Sequence, residues 1–449
     1  MNSYRNLFVN SEFIQLGQIH SIARFGPILG VCRLPGHATG EWRRSTSYHK
    51  TNELGIDQHI QLCFVPRTAR GRVRRPKQNG EELIVYEKLL SPAKFGPWDL
   101  TSHIVMPPLT RNRAQADFTP NEEAPKYYGQ RSSAGLVICE ATQVSPEATG
   151  YPRTPGIWTE KHTAKWREVV DQIHTGGAKA IIQLWHCGRI AHPDNQPEGC
   201  YPIGPSAVQP KMPIYTDAAG GLTENPMPRV MTEEDIRGVI ESYRKACENA
   251  KAAGFDGVEL HGANGYIVDQ FASSNTNLRT DDWGGTLERR VRFMEEVLKA
   301  MTSVYDPACV GVRLSPYGKF NEIDDENPKA KYEAMLRVAE KSGIGYVHVI
   351  RPVVSGNVQM KASALDAEVI DTARKIFSRR LIGAAGYTPE SAETELQAGR
   401  VDLVAFGRSY VGNPDLVERI RRSVPLAASN EETWYTPGSE GYADYPTAT

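Results

Sequence analysis

The sequence predicts an α/β chain whose main body, residues 88–449, is a (β/α)8 barrel. Three observations predict it. Eight short apolar runs alternate with longer amphipathic stretches from Leu89 onward. Continuous apolar runs suit parallel strands buried on both faces. The stretches between them carry helix-start and helix-stop residues. The two longest connections both leave the C-terminal ends of strands, where barrels build their sites. Eight such units favour a closed barrel over a doubly wound sheet.

The elements follow in order. Residues 89–100 predict a small hairpin that closes the bottom of the barrel. Candidate strands fall at 103–108, 136–141, 178–185, 257–264, 309–316, 346–350, 380–386 and 402–408. Thr232-Glu-Glu-Asp235 offers a capping hydroxyl and acids that complement the helix dipole. Gly254 is placed to stop that helix. Asn327-Pro328, Thr388-Pro389 and Asn413-Pro414 each put a capping residue before a proline at the first helical position. The connections 187–231 and 265–286 are long, and long loops there tend to be functional. Residues 424–449 run past the last helix and are expected over the top.

Residues 1–87 read differently, as a basic and aperiodic extension. The first eighty residues hold twelve Lys/Arg and four Asp/Glu, with six basic residues between Arg67 and Lys77. Such a segment rarely buries enough surface to offset its chain entropy. Three readings stand: a disordered or artefactual extension, an organelle-targeting segment, or a basic tail for nucleic acid. Four acidic residues count against targeting.

The whole chain of 449 residues has a net charge of −1 and 40% hydrophobic residues. That balance points away from nucleic acid or a membrane surface as a general partner. No apolar run reaches the ~18 residues that a membrane helix needs. The seven cysteines are scattered and form no Cys-x-x-Cys pair. Reduced thiols in a cytoplasmic protein are therefore expected, with neither a disulfide framework nor structural zinc. His186 and Cys187 are adjacent, so a strand points them apart, which argues against a metal site.

The polar residues at strand ends carry the chemistry. The fourth strand ends Glu259-Leu-His-Gly-Ala-Asn-Gly-Tyr266. His261 and Asn264 can each donate to one oxygen, stabilising charge that develops there as an enolate forms. Tyr266 is protonated at neutral pH and can deliver a proton. The competing reading is a histidine satisfied in the core beside a packing tyrosine. Arg313, in an apolar fifth strand, needs an anionic partner, either a ligand or Glu259 on the neighbouring strand. Gln183 beside Trp185 offers a donor and an acceptor to a mixed polar edge. Pro107 and Pro108 end the first strand and leave Thr110 at the mouth. Gly386, Gly407 and Arg408 sit after strands seven and eight, where barrels commonly bind phosphate.

Six motifs in order make the chain resemble the old yellow enzyme family of FMN-dependent ene-reductases, from about Lys88 onward. They are Met106-Pro-Pro-Leu-Thr-Arg-Asn-Arg113, Gln183-Leu-Trp-His186, His261-Gly-Ala-Asn-Gly-Tyr266, Asn277-Leu-Arg-Thr-Asp-Asp-Trp-Gly-Gly285, Val312-Arg-Leu-Ser-Pro-Tyr-Gly318 and Phe406-Gly-Arg408. The resemblance implies FMN lined by Pro108, Leu109, Thr110 and Ala141. Gln183 would pair with its pyrimidine edge, and Arg313 would stabilise its reduced anion. Gly386, Gly407 and Arg408 would hold the phosphate. His261 and Asn264 would grip a substrate carbonyl while Tyr266 protonates the α-carbon. Trp185, Phe320 and Tyr435 would shape the substrate pocket.

The implied reaction reduces the C=C bond of an α,β-unsaturated carbonyl or nitro compound. NADPH, or NADH, would reduce the flavin, and hydride would then pass from flavin N5 to the β-carbon. No Gly-x-Gly-x-x-Gly separates a strand from a helix, so the nicotinamide would visit the flavin face transiently. A monomer or homodimer acting on a small activated alkene is expected. Two positions depart from the family pattern: Ala141, often Gly, and Tyr387, Asn in some members. The alternatives are an enal reductase or isomerase of secondary metabolism, or a flavin-binding protein without turnover.

Overall fold

The computed structural model describes residues 86–356 and 358–448, and nearer the N-terminus the backbone of three short strands. These are Leu29–Gly30, Ser45–Thr51 and Asp57–Leu62, paired antiparallel in chain order. Reading 1–87 as aperiodic finds no strand there, because Ser45-Thr-Ser-Tyr-His-Lys-Thr51 is mostly polar and lacks an apolar face. The other expectations for 1–87 lie outside the described residues.

The main body is a closed barrel of eight parallel strands in chain order. They are β1 (Ile104–Met106), β2 (Leu136–Gln143), β3 (Lys179–Trp185), β4 (Gly257–His261), β5 (Val310–Leu314), β6 (Tyr346–Ile350), β7 (Arg380–Ala384) and β8 (Leu403–Ala405). Pairing of β8 with β1 closes the ring. Eight helices follow the strands: α1 (Ala124–Gly129), α2 (Glu160–Thr175), α3 (Glu233–Ala253), α4 (Arg292–Thr302), α5 (Pro328–Lys341), α6 (Leu365–Ile376), α7 (Pro389–Gln397) and α8 (Leu416–Arg422). All eight expected strands are present. β1, β4, β5, β7 and β8 stop two or three residues sooner than expected, because their last residues already belong to the site loops.

The bottom of the barrel is apolar and plugged. Ala93–Phe95 and Trp98–Leu100 form the expected hairpin, turning at Gly96 with φ +60°. Phe95 stacks on Trp98 and leans on Tyr346 inside the barrel, 5.6 Å between ring centres. Gly311 makes room for that tyrosine, since a Cβ there would sit 2.1 Å from its ring.

Helix ends mostly follow the capping residues. Thr232 forms a reciprocal capping box with Asp235, and Gly254 ends α3 at φ +95°. Asn327 caps α5 and Thr388 caps α7. Asn413 does not cap α8, whose N-cap is Asp415. Its amide instead donates to the carbonyls of Ser409 and Ala427, clasping the end of a preceding helix to the tail.

The tail folds over the mouth as expected, and two arginines of the first motif hold it. Arg111 donates to the carbonyls of Trp434 and Gly441. Arg113 donates to those of Thr433, Gly438 and Glu440. Cys139, Cys187, Cys200, Cys247 and Cys309 are free thiols; Cys32 and Cys63 lie outside the described residues.

Candidate active site

The site grows out of the end of β4. Side chains two apart on a strand share a face, so Glu259 and His261 both point into the barrel. The strand then stops in a tight turn at Asn264 (φ +58°) and Gly265 (φ +74°). Gly265 is required there: a Cβ would lie 2.7 Å from the Phe320 carbonyl oxygen. Three bonds set the turn. Asn264 N–H donates to Ser315 Oγ at 2.8 Å, Asn321 Nδ2 donates to Asn264 O at 2.9 Å, and Gly265 N–H donates to Asp269 at 3.0 Å.

This turn folds Tyr266 back onto His261, edge to face at 5.0 Å. Trp185, from the end of β3, lies 4.8 Å from the Tyr266 ring and 5.9 Å from His261. Three of the expected residues thus form one aromatic nest. Asn264 is held at the same turn by its backbone, and its side-chain amide makes no bond among the described residues.

Burial sets the protonation states. The Ala263 N–H approaches His261 Nδ1 at 3.4 Å, which leaves Nε2 as the ring donor. Burial, with Arg313 and His348 nearby, holds the imidazole well below its usual pKa, so it is neutral. The core-satisfied alternative for His261 leaves Nε2 without a partner. Tyr266, 7% exposed, is pushed well above its usual value, chiefly by burial.

Arg313 does not pair with Glu259. Glu259 accepts from Gln183 Nε2 at 2.7 Å and meets His348 Nδ1 at 3.0 Å, deep inside the barrel. Among the described residues the Arg313 Nε is buried without a partner, and burial lowers its pKa to about 10. An unpaired guanidinium at this depth needs an anion. Gln183 spends one N–H on Glu259 and keeps its carbonyl oxygen available, so its edge is more acceptor than the sequence implies.

The residues expected around the cofactor ring the same mouth. Pro108, Leu109 and Thr110 leave β1 just past Met106, and the Thr110 hydroxyl makes no bond among the described residues. Ala141 sits where the β2–β3 register shifts, a bulge that turns it toward Trp185 and Tyr266. Gly386 follows β7 at φ +67°, with Val353 and Arg351 against its free face. Gly407 and Arg408 open the short helix Gly407–Gly412 after β8, and Arg408 bonds Gln359. Tyr387 turns away from the mouth, packs in the outer core and carries Arg351 on its ring at 3.6 Å. Phe320 lies in the loop after β5 and Tyr435 in the tail.

Sequence reasoning missed three participants, Tyr151, Asn321 and His348. Tyr151, in the loop after β2, stacks on Trp185 at 5.8 Å and meets the Tyr266 hydroxyl at 3.3 Å. Asn321 pins the β4 turn and faces both phenols. Glu259 and His348 complete the buried layer beneath Arg313. Neither tyrosine nor asparagine in a loop carries a periodic signal, so only proximity reveals them. The motif Asn277–Gly285 is structural. The Asn277 amide ties the carbonyls of Phe271 and Trp283, and Arg279 binds Pro205 and Met231. No cluster of three or more metal-binding side chains occurs among the described residues.

Comparison with known proteins agrees with this architecture. The model of the NADH:flavin oxidoreductase / NADH oxidase family matches residues 88–427. The protein named 12-oxophytodienoate reductase 2 from Arabidopsis thaliana is 40% identical over 362 residues, covering 80% of this chain and 95% of that one. Flavin oxidoreductase hxnT from Emericella nidulans is 36% identical, covering 81% and 98%. Among solved structures, morphinone reductase in complex with tetrahydroNAD superposes with TM-score 0.74 at 37% identity, covering 80% and 98%. The old yellow enzyme homologue from Zymomonas mobilis does so with TM-score 0.74 at 34% identity, covering 80% and 99%. The chain belongs to this family, the old yellow enzyme family, and is an FMN-dependent NAD(P)H oxidoreductase.

Proposed function

We propose that this old yellow enzyme relative reduces the C=C bond of α,β-unsaturated carbonyl or nitro compounds, with Tyr266 as proton donor. The observation that carries the reading is His261, neutral and with Nε2 unpartnered, packed edge to face against the buried Tyr266.

The residues at the mouth fit FMN. Arg313 has a buried Nε with no partner, Thr110 has an unbonded hydroxyl, and Gln183 keeps a carbonyl oxygen. At Gly407 a Cβ would meet nothing closer than 3.5 Å, so only ordinary packing and open space face it. Arg313 would balance the negative pyrimidine edge, and Gly386, Gly407 and Arg408 would hold the phosphate. When bound, the flavin supplies the hydride. Tyr387 contributes no side chain to the mouth, so its difference from some members leaves the cradle to backbone groups.

The chain's own residues would then act on the alkene. His261 Nε2 and the Asn264 amide donate to the carbonyl or nitro oxygen and stabilise its developing charge. Tyr266 gives its proton to the α-carbon. Trp185, Phe320 and Tyr435 wall the pocket, and burial excludes water from the nest. The presence of Tyr266 favours net reduction over isomerisation of an enal.

Rapid mixing tests this directly. Anaerobic NADPH should bleach the flavin, and 2-cyclohexenone should restore its colour. Tyr266→Phe should keep the bleaching and slow the second step by ~10²-fold or more. An unchanged second step would remove Tyr266 from its role.

A further inference from the structure

Tyr266 has a problem that its own position creates. Burial makes a phenol a weaker acid, because the tyrosinate left behind is poorly solvated. A proton donor placed there needs a partner for that charge and a route for its next proton. His261 and Trp185 meet Tyr266 through their rings, not through its hydroxyl. The Tyr151 hydroxyl lies 3.3 Å from the Tyr266 hydroxyl, and the Asn321 amide is near both.

Tyr151 is half-buried where Tyr266 is buried, so it is the more exposed residue of the two. Its position is built. Its carbonyl accepts from Thr154 Oγ1 at 2.9 Å, its ring stacks on Trp185, and its edge meets Tyr266 at 6.3 Å. Of the two phenols, Tyr151 is the one whose ionised form the shared hydrogen bond favours, since Tyr266 donates to it. Burial holds both phenols above their usual value, and the shared bond makes Tyr151 the more readily ionised of the two.

We propose that Tyr151 is the positioning and relay residue for the Tyr266 proton. This rests on Tyr266 being the donor. The Tyr266 O–H bond breaks as the α-carbon C–H bond forms. The Tyr151 proton crosses the 3.3 Å contact to the Tyr266 oxygen, which leaves the charge on Tyr151. A solvent proton then restores Tyr151. One proton enters from water for each alkene reduced. The Asn321 amide lies close to both oxygens.

The test uses Tyr151→Phe and Tyr266→Phe holoenzymes with two substrates. Reduction of 2-cyclohexenone needs a proton on carbon. A nitroalkene can accept hydride and leave as a stable nitronate, without that proton. Tyr151→Phe should slow re-oxidation by cyclohexenone ~10-fold or more and alter its solvent isotope effect and pH profile. Bleaching by NADPH, FMN affinity and hydride transfer to the nitroalkene should stay at wild-type values. Equal slowing with both substrates would make Tyr151 a wall of the pocket and overturn the relay. An unchanged cyclohexenone rate in Tyr151→Phe, with Tyr266→Phe impaired, would overturn the relay and leave the donor intact. An unchanged rate in both variants would overturn the donor itself.

Discussion

The two ends of this barrel are built from the same eight strands and differ in almost everything else. At the bottom, Phe95, Trp98 and Leu100 seal an interior of Val105, Leu136, Ile181 and Tyr346. A few ångströms higher, Gln183, Glu259 and His348 form a buried polar layer beneath Arg313 and His261. The contrast teaches that position along a strand decides what an inward side chain does. Apolar contacts below supply stability without direction, whereas bonds above are directional and leave Arg313 Nε and the far nitrogen of His348 unmatched. Strain of that kind is tolerated where a ligand can relieve it.

The widest separation of the two ends should come from Trp98→Ala. Removing that plug should cost about 3–5 kcal/mol in denaturant unfolding. Reduction per folded molecule should stay unchanged, and a lost site would show the ends to be coupled. The converse is Arg313→Met. Loss of the guanidinium should slow bleaching by NADPH ~10- to 100-fold and move the flavin midpoint potential in the negative direction, since one charge-assisted contact contributes roughly 1.5–3 kcal/mol. Thermal stability of the flavin-free protein should hold or rise, because there the buried charge has no partner. A potential equal to wild type would deny Arg313 its partner.

Acid separates the ends as well. His186 is held down at about 4 by burial, and His261 and His348 are also lowered. Unfolding frees these histidines to take up protons, so their stabilising share is full above about 6.5 and declines as pH falls below it. Glu140, raised by burial to about 7, works in the opposite sense: its folded form binds a proton that the unfolded form releases. Glu140→Gln should therefore lose stability more steeply between pH 7 and 5 than the wild type, measured by urea midpoints. A shallower slope would reverse the assignment. The smallest effect should be Thr110→Ala, which removes one hydroxyl contact and should weaken FMN by up to about tenfold, ~0.5–1.5 kcal/mol, in fluorescence titration.

The strands were legible because each is a continuous apolar run, and most helix starts because a capping side chain bonds locally. Asn413 misled for the same reason: a capping residue before proline is a local signal, and the tail carbonyl at Ala427 outcompeted it. His261, Tyr266 and Trp185 were legible as strand-end residues. Tyr151, Asn321 and His348 were not, since each acts across more than fifty residues of chain. Arg111 and Arg113 belong to the first motif without an expected role, and in the fold they hold the tail.

By itself, the sequence determined the eightfold alternation, the plugging hairpin, the order of the motifs and the chemical types at the strand ends. Periodicity and capping are set by neighbours in the chain, so they can be read from it. Tertiary structure alone decided that Glu259 serves Gln183 and His348 rather than Arg313, and that two phenols meet at 3.3 Å. Those choices depend on which strands and loops converge at one end of a closed barrel, and on the burial that convergence imposes on each charge.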